Sequence, residues 1–360
     1  MSKPIATLAQ LAEFDTLIDA RSPAEFIDDQ LPGAISCPVL DNEQRIAVGT
    51  LYKQASPFTA RKLGAVLVAR NVADHIEAKF SDQPKEWRPL VYCWRGGQRS
   101  GAFTHILREV GWDAARLEGG YRTWRRHVLE QLEQLPGHLH FRVITGPTGS
   151  AKSRVLEALA RQGEQVLHLE QLAAHKGSVL GELPGIEQPA QRRFESALYA
   201  ALHDFDPSRP VYVEAESRKI GVLHLPEQLI QRIRAGRCYR IGASLAERVN
   251  FLLRDYDYAI ADPAWLSHHL GHLHGLHSNE TLAHWNQLIH AHDFPALVEA
   301  LLVKHYDPLY LRSQNTNFSE LDSATVIDAD SLRDAGIEAL AGEIARQPAP
   351  IAVSPAPTCG

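Results

Sequence analysis

Cysteine is scarce in this chain of 360 residues: Cys37, Cys93, Cys238 and Cys359 are the four present, and no two form a C-x-x-C pair. That spacing offers neither a disulfide framework nor a cysteine zinc site, so each thiol has to be judged alone. Long apolar runs are absent too. No stretch approaches the roughly 20 apolar residues that cross a bilayer. The N-terminal MSKPIATLAQLAEFDTLIDA carries acids and polar residues within a helical pattern, and lacks the basic, apolar and small-residue succession of an export signal. No membrane span is expected, and the cytoplasm is the expected location. A positive net charge is also missing: the formal charge is −6 at pH 7, which argues against indiscriminate binding to nucleic acid.

What is present is ordinary globular material, 44% hydrophobic and 22% charged, in a length that suits two domains with separate cores. Charge is unevenly spread. The segment Arg88 to Arg126 and the segment Arg218 to Arg240 each carry an excess of five positive charges, a pattern that suits a polyanion docked at chosen places and equally suits arginines on solvated helix faces. Short apolar runs alternate with amphipathic stretches, which indicates an α/β fold with mainly parallel sheets. In the first half TLIDAR, AISCPV, PLVYCW and ARLEG read as strands, and SPAEFIDDQ, RSGAFTHILREVG and YRTWRRHVLEQL as helices. Pro136-Gly137 breaks the pattern. A second domain then opens with the strand HFRVITG, the loop GPTGSAKS and the helix KSRVLEALARQG, followed by the strands QVLHLE and PVYVEAES. Residues 245 to 320 read as mostly helical, SATVIDAD as one further strand and DSLRDAGIEALAGEIARQ as a closing helix. The expected division is a first domain over 1–136, a second with a helical extension over 138–346, and a proline-rich disordered tail over 347–360.

Cys93 ends a strand and opens CWRGGQRS, whose last residues begin a helix. A sulfur there meets the N–H groups of a glycine-containing loop, the positive end of a helix dipole and the cations Arg95 and Arg99, all of which favour the thiolate. The loop and the upstream DARSPAEF, with Asp19, Arg21 and Glu25, resemble the rhodanese superfamily over about the first 130 residues. Such domains move sulfur or selenium on the cysteine. Cys93 to Arg99 spans seven residues, one more than in common sulfurtransferases, and Cys-x5-Arg is also the spacing of cysteine-dependent phosphatases. No nearby aspartate is evident as a general acid for phosphatase action. Cys37 and Cys238 read as packing residues.

Gly146, Thr148, Gly149, Ser150, Ala151, Lys152 and Ser153 form a P-loop in which Ala151 replaces the second glycine. The loop follows a strand and opens a helix, so its N–H groups can cradle a diphosphate, Lys152 can balance its charge and Ser153 can reach a magnesium ion. Glu214 and Glu216, ending PVYVEAES, stand where a carboxylate would orient magnesium or water, or else pair with Arg218 or Lys219. Eight histidines lie between His268 and His292, with His268 and His272 at helical metal-pair spacing. Without an accompanying carboxylate cluster they read as a surface helical segment, and no metal site is assigned.

A rhodanese-like domain ahead of a P-loop domain resembles the tRNA 2-selenouridine synthase family. LDNEQRIAVGTLYKQ, YCWRGGQRSGAF, LEGGYRTWR, QPAQRRFE, VEAESRKIG and HYDPLY carry the likeness over nearly all of residues 15 to 315. The resemblance implies a transferase that replaces sulfur by selenium in wobble 2-thiouridine of tRNA, with selenophosphate as donor, and geranylation of that sulfur from geranyl diphosphate. Both donors are co-substrates, and no tightly bound cofactor is expected. Alkylation turns a poorly leaving thiocarbonyl sulfur into a displaceable thioether, so geranylation would prepare the exchange. The P-loop would hold the diphosphate. Cys93 would carry selenium as a perselenide or assist selenophosphate directly, with Arg95 and Arg99 holding the anion. Trp94 would stack on an anticodon base or simply pack. Arg192 and Arg193 would meet tRNA or diphosphate, or lie on a solvated helix face, while Arg218 and Lys219 lie in a basic segment suited to the tRNA backbone. Two alternatives stay open: an ATP-dependent sulfurtransferase or kinase, and a non-catalytic tRNA-binding scaffold.

Overall fold

The structure is a computed structural model that describes residues 5–310, 312 and 323–348. The expected tail over 347–360, with Cys359, falls outside the described residues from 349 onward. The chain divides into two compact units. Met1–Gln131 with Ala190–Ser196 make the first, and Leu132–Pro189 with Ala197–Gly360 the second. The Pro136-Gly137 break lies in a short 3-10 turn, Leu135–His138, immediately before a strand.

The first unit holds a five-stranded, wholly parallel sheet. Its strands are β1 (Ile5–Ala6), β2 (Thr16–Asp19), β3 (Ile35–Ser36), β4 (Pro89–Tyr92) and β5 (Ala115–Leu117), in the order β1-β5-β4-β2-β3. β4 is buried at all four positions, as expected of a central strand covered on both faces. In register, Ile18 lies opposite Val91 and Leu90 opposite Ala115. The core gathers Ile18, Val91, Phe103 and Leu107 with Trp87 and Trp112. The helix Gln98–Val110 follows the cysteine loop and stops at Gly111, whose φ of +111° suits glycine. Two details depart from the sequence reading. The N-terminal segment forms β1 and the 3-10 helix Leu8–Glu13 instead of a longer helix, because Ile5 and Ala6 pair with the sheet edge. AISCPV contributes only two residues of strand.

The second unit is again a parallel five-stranded sheet, made by β6 (His140–Thr145), β7 (Gln165–Leu167), β8 (Pro210–Glu214), β11 (Arg237–Gly242) and β12 (Thr325–Asp328). Their order is β12-β11-β6-β8-β7. A small antiparallel pair, β9 (Lys219–Ile220) and β10 (Leu223–His224), stands apart. β12 is the strand expected from SATVIDAD. β11 was not anticipated, since Arg237 and Arg240 interrupt its apolar pattern, yet Cys238, Tyr239 and Ile241 are buried while Arg240 is exposed. The order places β6 in the middle, with later strands on both sides. The carboxyl ends of such strands make the crevice in which open α/β sheets bind ligands. Helices over residues 245–306 pack around Leu266, Trp285, Leu297 and Leu301 as a separate core beside that crevice.

Candidate functional site

In the first unit Cys93 leaves the end of β4 into a loop that is held from below. Tyr121 N–H donates to the Cys93 carbonyl at 2.8 Å, Arg122 N–H to the Trp94 carbonyl at 3.0 Å, and Arg116 to the Gly96 carbonyl at 3.1 Å. Gly96 and Gly120 both have positive φ, and a Cβ on either would strike backbone of the other segment. The LEGGYR stretch is thus a prop for the cysteine loop.

Cys93 is 3% exposed, and its Sγ lies 3.2 Å from Ser100 Oγ. Burial pushes the thiol up, but the hydroxyl and N–H of Ser100, the charge of Arg99 and the N–H of Gly97 together hold it below its ordinary range. Arg99 is fixed in turn. Glu25 accepts from it at 2.7 and 3.2 Å, and although burial opposes the charge, Arg99 keeps this carboxyl at about 2. The Asp19–Arg21 pair is wholly buried and braces the chain turn before Glu25, with Arg21 also donating to the Asp29 carbonyl. Arg95, by contrast, is exposed and makes no ion pair among the described residues. Arg99 is therefore a cation of set position and Arg95 one that can swing to an incoming anion.

Trp94 is half-buried, tilted against Tyr121 at 5.4 Å with the Arg192 guanidinium 5.7 Å above its ring. Arg192 pairs with Asp28 at 2.8 Å, and Arg193 reaches the Ile27 carbonyl. Both belong to the first unit, and neither is among the residues that line the P-loop cavity. Much of the basic segment over 88–126 is paired, mostly with acids outside it: Arg88 with Glu13 and Asp113, Arg108 with Asp113, Arg125 with Glu195 and Arg126 with Glu130.

In the second unit the P-loop turns from β6 into the helix Lys152–Arg161 and borders a cavity of about 450 Å³. Gly146, Thr148, Gly149, Ala151, Lys152 and Ser153 line it, while Ser150 is fully buried beneath the loop. Ala151 takes φ 60° and ψ 25°, the left-handed conformation that the missing glycine would adopt without strain. Lys152 Nζ curls onto the Gly146 carbonyl at 3.0 Å. Below the loop, buried Arg248 donates to the Thr148 carbonyl at 2.8 Å and is clamped by Asp307 of HYDPLY.

Ser153 Oγ donates toward Glu170 at 2.9 Å and Glu214 at 3.2 Å. Glu170, Glu214 and Glu216 offer oxygens within 4.8 Å of one another. Burial raises all three, Glu214 well above the usual carboxylate range and Glu216 to about 8; repulsion adds to the rise, from Glu170 and Glu216 at Glu214, from Glu170 at Glu216 and from Asp255 at Glu170, although Lys152 works against it. Hard oxygen donors that repel one another in this way fit a divalent cation such as magnesium, held by Ser153 and the carboxylates, where it would neutralise phosphate charge. Neither Glu214 nor Glu216 pairs with Arg218, which is bound to Glu227, and Lys219 is exposed in β9. Glu170, Lys176 and Arg234 also line the cavity and were not singled out in the sequence, since their neighbours carry no motif. Lys176 is tied to Asp255 at 2.7 Å, whereas the Nε of Arg234 is buried without a hydrogen-bond partner.

The histidine-rich stretch is less of a surface than expected. His269 is 5% exposed and bonds Glu182 at 3.0 Å, and His277 bonds His305 at 2.9 Å. Cys37 and Cys238 are buried, as packing residues should be. Among the described residues no helix is long and apolar enough to cross a membrane.

Comparison with known proteins follows the same division. Residues 5–127 match the family model of the rhodanese-like domain, and residues 139–279 that of the tRNA 2-selenouridine synthase AAA domain. Proteins named tRNA 2-selenouridine synthase are similar over about two thirds of the chain. The one from Nitrosomonas europaea is 36% identical over 67% of this chain and 63% of its own length. That from Alcanivorax borkumensis is 37% identical over 67% and 66%, and that from Aeromonas salmonicida 34% over 67% and 64%. The chain thus spans a little under two thirds of the length of these relatives.

Proposed function

The chain belongs to the tRNA 2-selenouridine synthase family, and from that premise we propose that it is a cytoplasmic transferase exchanging sulfur for selenium in wobble 2-thiouridine of tRNA. The observation that carries the reading is the setting of Cys93. Cys93 is buried, hydrogen-bonded by Ser100 and backed by Arg99, in a chain that also carries a phosphate loop.

The work is divided. The thiouridine sulfur attacks the first carbon of geranyl diphosphate, and the diphosphate leaves into the P-loop, where N–H groups and Lys152 meet its growing charge. The base now bears a thioether on an activated ring carbon. The selenium of selenophosphate, delivered beside Cys93, attacks that carbon and displaces the geranyl thiol, and water then cleaves the Se–P bond to leave selenouridine and inorganic phosphate. Arg99 and the exposed Arg95 hold the anionic donor. Residues Glu170, Glu214, Glu216 and Ser153 would hold magnesium against the diphosphate.

That carboxylate cluster also favours a second reading, in which a metal-bound nucleotide occupies the loop and the enzyme is an ATP-dependent kinase or sulfurtransferase. The two separate in one experiment. Purified protein is incubated with 2-thiouridine tRNA and geranyl diphosphate, and nucleosides are weighed by mass spectrometry. Geranylated thiouridine without ATP supports the proposal. Unaltered thiouridine together with tRNA-stimulated ATP turnover would transfer the case to the second reading.

A further inference from the structure

Beside the P-loop cavity lies a second, smaller one of about 60 Å³. Thr148, Ser178, Leu252, Tyr256 and Tyr306 line both, so the two spaces adjoin through a shared wall. Beyond those five residues every side chain around the smaller space is apolar, with Leu180, Ala259, Leu266, Leu297 and Leu301 buried around it. At the junction the Ser178 hydroxyl stands within reach of those of Tyr256 and Tyr306. A water inside would find almost no polar partner, and apolar cavities of this kind stay dry.

The larger cavity is the opposite in character. Loop N–H groups, Lys152 and the magnesium-type carboxylates line one wall, chemistry that selects phosphate oxygens. A ligand filling both spaces needs a polyanionic head and an apolar tail. A nucleotide fails this test, because its base would carry hydrogen-bonding edges into a slot that offers them nothing. The slot is far smaller than the P-loop cavity, about 60 Å³ against about 450 Å³, so it receives only the end of a tail.

We infer that the slot between the helices Leu245–Asp255, Pro263–Gly271 and Phe294–Leu301 binds the free end of a short branched hydrocarbon whose diphosphate lies in the P-loop. Ala259 and Leu297, which are 3% and 1% exposed, set the length of tail that fits. The inference rests on the proposed prenyl transfer and adds the residues that select among prenyl donors. A methyl at position 259 leaves space that a larger side chain would fill, and the Leu297 side chain blocks space that a longer tail would need.

The test is equilibrium binding of inorganic pyrophosphate, geranyl diphosphate and farnesyl diphosphate to the full chain with magnesium. Wild type should bind geranyl diphosphate about tenfold or more tighter than pyrophosphate, the gain expected from a few buried carbons. Ala259→Phe should remove most of that preference while leaving pyrophosphate affinity intact, which also shows that the loop is still folded. Leu297→Ala should shift the preference toward farnesyl diphosphate. If wild type prefers geranyl diphosphate and both variants keep the same ratios, the tail lies elsewhere and the inference falls while the prenyl-transfer reading stands. If wild type binds no diphosphate at all, that reading fails and the inference fails with it.

Discussion

Single residues explain motifs that the sequence presents only as patterns. DARSPAEF could be matched by eye, but its letters do not say that Glu25 steers Arg99 toward the sulfur while Asp19 and Arg21 are buried bracing. The partners stand 74 residues apart along the chain, a distance no local pattern reports. Ala151 is the reverse case, because the substitution was legible and its consequence can be worked out. An alanine in the left-handed region costs about 1–2 kcal/mol. Its Cβ is buried in the core with Ile144 and Val155, which returns about 0.8 kcal/mol, and alanine constrains the unfolded chain by a further ~0.4–1 kcal/mol relative to glycine. The contributions nearly offset. Ala151→Gly should therefore shift the urea midpoint little, whereas Ala151→Val, with a β-branched residue at positive φ, should lose more than ~2 kcal/mol. A large stabilisation by glycine would mean that strain dominates at this loop.

Elements bring together what the sequence keeps apart. The P-loop announced itself because strand, loop and helix are contiguous, but Glu170 arrives from the short helix after β7 and Glu214 from β8, both meeting Ser153 at the sheet's carboxyl end. The clamp of Arg248 and Asp307 under Thr148 likewise joins a helix and a later segment to the loop. The pH behaviour of the carboxylates belongs to this scale. A carboxyl raised from 4.5 to about 8, as Glu216 is by burial and by Glu170, keeps its proton longer in the folded state than in the unfolded one. It therefore costs the fold nothing below about pH 4.5, costs progressively more as pH rises toward 8, and no more above that. Magnesium should consequently raise the melting temperature much more at pH 8 than at pH 5, and Glu216→Gln should lessen the loss between those values while Glu214 and Glu170 keep their shares. Equal responses to magnesium at both pH values would show that the three carboxylates are not repelling one another.

At the scale of the whole molecule, two α/β units were legible from the alternation of apolar runs and amphipathic helices, and both active loops from their glycines and charges. β11 was not, since its arginines disguise a strand whose other face is core. The charge on the first basic segment was legible, but not how it is paired, because the acids Glu13, Glu130 and Glu195 lie outside the segment. The central claim is that the two units perform successive steps on one base. The direct test supplies the intermediate. S-geranyl-2-thiouridine tRNA and selenophosphate are given to wild type, Lys152→Ala and Cys93→Ala, and nucleosides are weighed. Lys152→Ala should form selenouridine from this preformed substrate while failing on 2-thiouridine tRNA with geranyl diphosphate, and Cys93→Ala should fail on both. Selenouridine at the wild-type rate from Cys93→Ala, or none from Lys152→Ala, would contradict the division.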